Sequence, residues 1–355
     1  MNHAIKVLIL AATAFSSTAL AANPAASRSA SAAVKVVAND RLKVVADGGS
    51  GLLPLYVSRE WRTELPEIVH AIIIVHGQSR NADDYFYYTQ QALVMVAQQY
   101  PGLIEHTILI APQFLNESDT AAHSLPPEVL RWHVSAWEGG EPSQAPIHVS
   151  SFEALDAILG KLADRKVFPN LKGVIVAGHS GGGQLVQRYA VAGNGDAALV
   201  AAGVKIRYVA ANPSSYLYFS SERPTVSGGF ATPAAACPGY NRWKYGWDQA
   251  PDYVKPGSQA ELEKRYAARD VFYLLGGADT DPQQSALDKT CSGELQGAYR
   301  LQRGLNYARY LRGRHPGLKH NVWEVEGVGH DGKGMLTSDC GRAAVIGIGT
   351  CPLSR

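Results

Sequence analysis

The sequence is short of charge, and neither sign gathers into a run. Thirty-three Lys and Arg face 31 Asp and Glu in 355 residues, a formal net of +2, with charged residues only 18% of the chain. That excludes a basic stripe for nucleic acid and a polybasic patch for an anionic membrane surface. No apolar run reaches the roughly 20 residues that a bilayer span needs. The N-terminal apolar stretch is interrupted by Thr13, Ser16, Ser17 and Thr18, so no stable membrane insertion is expected. Cysteine is scarce: Cys237, Cys291, Cys340 and Cys351 all fall in the last third, without the C-x-x-C spacing of zinc or dithiol sites. Internal repeats are lacking as well. What the chain has in quantity is apolar surface, 46% of its residues, enough for a sizeable core and too much for disorder.

Residues 1–21 read as a secretory signal. Lys6 gives a positive start, Val7 to Ala12 begins an apolar stretch, and Ala19-Leu20-Ala21 offers small residues for cleavage near Ala21. The protein is therefore expected to be secreted or periplasmic, with residues 22–33 a flexible lead-in of Ala, Ser, Asn and Pro. An even cysteine count in an exported chain predicts two disulfides. Three pairings are possible. The closeness of Cys340 and Cys351 in sequence favours that pair, which leaves Cys237 with Cys291.

Short runs rich in β-branched residues recur at 71–75, 107–111, 174–177, 206–210 and 271–275. Most are unbroken rather than alternating, as strands of a parallel sheet covered on both faces must be. A last run, Val322 to Glu326, alternates and suits an edge. Helical spacing falls between them, over 84–99, over roughly 292–312 through Leu295, Ala298, Leu301, Leu305 and Ala308, and after a capping box at Ser150 and Glu153. Alternating strands and helices predict an α/β fold, a mostly parallel sheet with helices on both faces. Residues 115–149 and 214–268 are rich in Pro, Ser, Gly and Trp without clear period. They read as two loop-rich insertions in a single domain spanning 34–355.

The chemistry begins at Gly178-His179-Ser180-Gly181-Gly182, which directly follows a predicted strand and opens a helical face. A G-x-S-x-G turn between strand and helix holds its serine in strained backbone geometry, and the glycines on either side are needed because a β-carbon there collides with the turn. The serine hydroxyl also sits at a helix N-terminus, where free N–H groups favour developing negative charge.

This pattern resembles the α/β-hydrolase superfamily, of the serine esterase and lipase kind, over about Ala71 to His330. The resemblance implies a site in the chain order nucleophile, acid, histidine. Leu274 to Asp279 looks like the superfamily's strand ending in a glycine loop and an acid, and Glu326 to Asp331 like its histidine loop. The implied catalytic residues are Ser180, Asp279 and His330. Asp281 is the alternative acid, and Asp331 is expected to point away. His179 is expected to pack rather than react. Serine attack needs a neutral imidazole to take its proton and a carboxylate to hold that ring's tautomer. One oxyanion donor is the N–H of Gly181, the residue after the nucleophile. The resemblance of His76-Gly77-Gln78 to a His-Gly oxyanion turn gives Gln78 as the other, although the second and third glycines of the lipase-type His-Gly-Gly-Gly motif are missing, and His76 either takes part or only braces the turn.

Aromatics in the two insertions, Trp132 and Trp137 in one and Trp243, Tyr245 and Trp247 in the other, are candidates for the substrate wall, because loops at the strands' carboxyl ends surround the site in open α/β sheets. They equally suit the insertions' own small cores. The alternation of Trp243, Tyr245 and Trp247 puts all three on one side if that loop is extended. Asp279, Asp281 and Asp288 lack a calcium-loop spacing, so neither metal nor cofactor is expected. The resulting reading is an exported serine hydrolase cleaving small-molecule or polymeric carboxylic esters through an acyl-enzyme. Its alternatives are a serine peptidase or amidase with the same residues, and a binding protein on a hydrolase fold.

Overall fold

The computed structural model describes residues 32–46, 48–233 and 237–352. The expected signal at 1–21 and most of the lead-in at 22–33 lie outside the described residues. Eight strands form one sheet: β1 (Asp40–Ala46), β2 (Gly49–Val57), β3 (His70–Val75), β4 (Thr107–Pro112), β5 (Gly173–His179), β6 (Lys205–Ala211), β7 (Asp270–Gly276) and β8 (Asn321–Val325). Their order is β1-β2-β4-β3-β5-β6-β7-β8. All neighbours from β4 to β8 pair in parallel, and β2 alone runs against β1 and β4.

The unbroken apolar runs follow from burial on both faces. Along β3, Ile73 and Val75 enter one cluster with Val174, Val176, Tyr208 and Tyr273, while Ile72 and Ile74 enter the opposite one with Leu109, Val209, Phe272 and Leu274. The helix α1 (Ala82–Ala97) covers the second face, together with the short helices Gly332–Thr337 and Asp339–Val345. The first is covered by α2 (Ser151–Leu162), α3 (Gly181–Ala192), α4 (Gln259–Ala268) and α5 (Arg300–Arg314). The capping box of α2 forms as the sequence predicts, with Glu153 accepting from the Ser150 N–H at 2.6 Å.

Three expectations change. The strands β1 and β2 are additional to those predicted. A single helix over 292–312 does not form. A four-residue turn of helix at Cys291–Glu294 is followed by Gly297 at φ 146°, and α5 starts only at Arg300. Its buried face runs through Leu301, Gly304, Tyr307, Ala308 and Leu311, leaving Leu305 exposed. Finally, α4 lies within 214–268, where no periodic element was expected.

Disulfides join Cys237 to Cys291 and Cys340 to Cys351. They close loops of 54 and 11 residues, which by chain entropy stabilise the fold by about 4 and about 3 kcal/mol. Replacing Cys237 and Cys291 by serine should therefore lower the melting temperature more than replacing Cys340 and Cys351, and thermal denaturation of the two double variants gives the order. Among the described residues no helix is long and apolar enough to cross a membrane.

Candidate active site

Ser180 stands between the end of β5 and the first turn of α3 at φ 58°, ψ −118°, a left-handed conformation that a non-glycine residue holds only under local constraint. The constraint is close packing of backbone on backbone. A β-carbon on Gly182 would lie 2.3 Å from the Val75 carbonyl oxygen and 2.5 Å from that of His76, and one on Gly178 would lie 2.4 Å from the Gly182 carbonyl. Glycine at both positions thus lets α3 rest directly on the end of β3, which carries the His76 turn.

The loops after β7 and β8 bring two more side chains to the serine. His330 Nε2 lies 2.9 Å from Ser180 Oγ, and His330 Nδ1 lies 2.9 Å from Asp279 Oδ2. Asn212, at the end of β6, fastens both loops: its Oδ1 accepts from the Gly276 N–H and its Nδ2 donates to the Gly329 carbonyl. Asp279, not Asp281, reaches the histidine. Asp281 is exposed and accepts from the Gln283 N–H, and Asp331 caps the helix Gly332–Thr337.

Arg300 at the start of α5 has no sequence signature. Its side chain is buried, donating to Asp279 Oδ1 at 3.3 Å, to Ser214 Oγ and to Gln284. Burial pulls the His330 imidazole below its ordinary 6.5 and the Arg300 cation adds to this, while Asp279 pulls it back up. For Asp279 burial acts upward, but the His330 hydrogen bond and charge, with Arg300, bring the carboxyl below its ordinary 3.8. Both shifts favour a neutral imidazole beside an ionised carboxylate.

His179 packs against His330 with ring centres 4.9 Å apart and planes tilted by 31°, and its Nδ1 meets the Tyr85 hydroxyl at 2.8 Å. Burial holds it neutral, well below its ordinary value. His76 braces its turn: Nδ1 donates to the Gly77 carbonyl and Nε2 accepts from the Phe114 N–H. Burial brings it down to about 4. The same turn is tied to the first insertion by the buried pair of Arg80 and Asp119, 2.6 Å apart. The point where a β-carbon of Gly181 would sit is 3.2 Å from the Gln78 amide nitrogen, so Gly181, next to Ser180 in sequence, and Gln78 are neighbours. Gly181, first in its helix, has no intrahelical acceptor, and no backbone acceptor takes the Gln78 N–H among the described residues.

The five insertion aromatics do not form one wall. Trp132 and Trp137 have no exposed surface and pack on Phe114 at 5.1 and 5.4 Å; Trp137 also touches the His76 ring and backs Gly181. The segment holding Trp243, Tyr245 and Trp247 is turned, not extended, since the Tyr245 and Gly246 N–H groups both bond the Arg242 carbonyl. The alternation therefore does not set their directions: Trp243 and Trp247 meet edge to face, 5.9 Å between ring centres, and Tyr245 leaves them. Trp243 donates to the Gly139 carbonyl, Tyr245 donates to Asp288, and Trp247 packs on Phe219. Lys244 between them reaches Glu138, a carboxylate beside Gly181. Neither charged residue stood out in the sequence.

The strand order, the serine turn and the loop positions are those of the α/β hydrolases, and the chain has that fold. Solved structures similar to it include two that match over most of both chains. LpqC, a poly(3-hydroxybutyrate) depolymerase from Bordetella parapertussis, superposes with a TM-score of 0.58 at 18% identity, covering 88% of this chain and 91% of its own. Poly(aspartic acid) hydrolase-1 from Sphingomonas sp. KT-1 gives 0.55 at 20% identity, covering 87% and 99%. No family model and no curated protein sequence matches the chain.

Proposed function

We propose that the protein is an exported, single-domain serine hydrolase that cleaves carboxylic esters through an acyl-enzyme. The observation that carries this reading is the continuous path Ser180 Oγ, His330 Nε2, His330 Nδ1, Asp279 Oδ2, with 2.9 Å at each hydrogen bond, set at the N-terminus of α3. In it, neutral His330 takes the Ser180 proton as Oγ attacks the substrate carbonyl, then returns that proton to the departing alcohol. Asp279 fixes the tautomer and stabilises the imidazolium between these steps. The Gly181 and Gln78 N–H groups hold the oxyanion, and each such donor is worth about 3 kcal/mol of barrier in other hydrolases. Water then enters the same path and releases the acid. The two disulfides support export.

A panel of matched esters and amides on the purified protein tests the reading. Ester turnover well above that of the amides is expected; turnover of the amides alone would replace it with a peptidase or amidase, and no turnover or covalent labelling at all with a binding protein.

The pH profile tests the electrostatics of the site. The base works when neutral, so kcat/KM falls as pH drops through the His330 value, and that limb should lie below 6.5. Arg300→Met removes a repelling cation and should move the limb to higher pH, whereas Arg300→Lys should leave it nearer its original place. An unmoved limb in the folded methionine variant would show that Arg300 does not set the base.

A further inference from the structure

Three backbone segments carry Ser180, Asp279 and His330, and the dipeptide Ala211-Asn212 at the end of β6 is bonded to all of them. The Ala211 carbonyl accepts from the Ser180 N–H at 2.9 Å. Asn212 Oδ1 accepts from the Gly276 N–H at 2.6 Å, and the Gly276 carbonyl accepts in turn from the Asp279 N–H at 3.0 Å. Asn212 Nδ2 donates to the carbonyl of Gly329, the neighbour of His330, at 3.0 Å. Asn212 is buried, so water does not compete for these bonds. Its backbone stands at φ 43°, a left-handed conformation that asparagine tolerates better than most non-glycine residues. Such a conformation persists where the surroundings hold it, and here it places the amide between the two loops.

The acid and histidine loops are also joined to each other. The Gly277 and Ala278 N–H groups donate to the Val325 and Val328 carbonyls, each at 2.9 Å, and His330 bonds Asp279. What Asn212 adds is a tie from this joined pair to the strand whose end holds the nucleophile. The acid side has a second such tie, because Arg300 bonds both Asp279 and Ser214 Oγ. On the histidine side, among the described residues, no other hydrogen bond joins residues 326–331 to residues 211–215. We infer that Asn212 is a positioning residue: by holding the histidine loop to the end of β6 it sets the reach from His330 Nε2 to Ser180 Oγ, while the His330 to Asp279 bond is kept by the loops themselves. This rests on the ester-hydrolase reading. The two contacts are both 2.9 Å long, yet they are fixed by different bonds and can be disturbed separately.

Two variants test this. Asn212→Gly removes both side-chain bonds and puts at φ 43° a residue that adopts it freely. Asn212→Asp keeps the size and the acceptor for the Gly276 N–H but sets a carboxylate oxygen against the Gly329 carbonyl. Phenyl acetate turnover, the rate of Ser180 labelling by a fluorophosphonate and the pH profile are measured for each, with a melting curve to show that it is folded; either variant suffices if the other does not fold. A reacting contact misplaced by about 1 Å costs about a hundredfold, so kcat and the labelling rate should fall together by about ten- to a hundredfold. KM should change by less than about twofold, since a contact used only in the transition state is lost. The acid limb of kcat/KM should stay at its wild-type pH, because Asp279 and Arg300 still face His330. Turnover and labelling within twofold of wild type in a folded variant would overturn the inference and leave the ester reading standing. A limb that moves would overturn it too, since the His330 to Asp279 pair itself would then depend on Asn212. Wild-type protein inert to both the ester and the fluorophosphonate would overturn both.

Discussion

Replacing Ser180 by alanine should lower ester kcat by about a millionfold, the loss seen when a serine nucleophile is removed from a comparable triad. Two properties of the site make the effect this large. The hydroxyl is the one group at the elbow that can form the covalent intermediate, and the histidine and aspartate act only through it. Histidine replacement should for that reason cost about as much as serine replacement, and the double variant little more, because members of such a unit are not additive. Folding should be spared. Alanine meets the same φ of 58° as serine does, and the glycines that hold the turn stay in place. An unchanged melting curve with activity lost is the expected pair of measurements. Activity within tenfold of wild type would remove Ser180 from the chemistry.

The second large effect is at Asp279. Asparagine keeps the size of the side chain, yet its amide has one acceptor instead of two and can present a donor to His330 Nδ1, which favours the wrong tautomer; the corresponding change elsewhere costs about ten-thousandfold in kcat. Asp279 also faces Arg300 at 3.3 Å, both nearly inaccessible, so the variant leaves a buried cation short of its counter-charge. Some loss of stability should accompany the loss of rate. Asp281→Asn separates the two acids of this loop. It is exposed and bonds only its own turn, so its kcat should stay close to wild type. The reverse ranking of the two variants would exchange their roles.

Much of this architecture is legible in the sequence because double-sided burial leaves a local mark. The runs at 71–75 and 271–275 have to be unbroken when alternate residues enter opposite cores, and G-x-S-x-G has to keep its glycines where α3 meets β3. The strand β1 leaves no such mark, since its pattern carries Arg41 and Lys43 on a half-exposed edge. In β2, Gly49, Gly51 and Pro54 interrupt the apolar sequence. The helical spacing over 292–312 is broken by backbone geometry at Gly297, which periodicity does not register. Arg300 reaches Asp279, and Lys244 reaches Glu138 beside Gly181, through packing of segments remote from Ser180 along the chain, so no motif announces them. The segment of Trp243, Tyr245 and Trp247 departs from its pattern for a related reason: alternation places side chains on one side only if the backbone is extended, and here it turns, so that Trp243 meets Trp247 while Tyr245 goes to Asp288.

The central claim is that Ser180 becomes acylated by an ester. The most direct measurement is a rapid-quench reaction with an excess of ester, in which the alcohol released in the first turnover is counted and the quenched protein is mapped by mass spectrometry. The account predicts a burst of one alcohol per protein chain and a mass increase equal to the acyl group on the peptide containing Ser180. A linear time course with no adduct, or an adduct on any other residue, would contradict it.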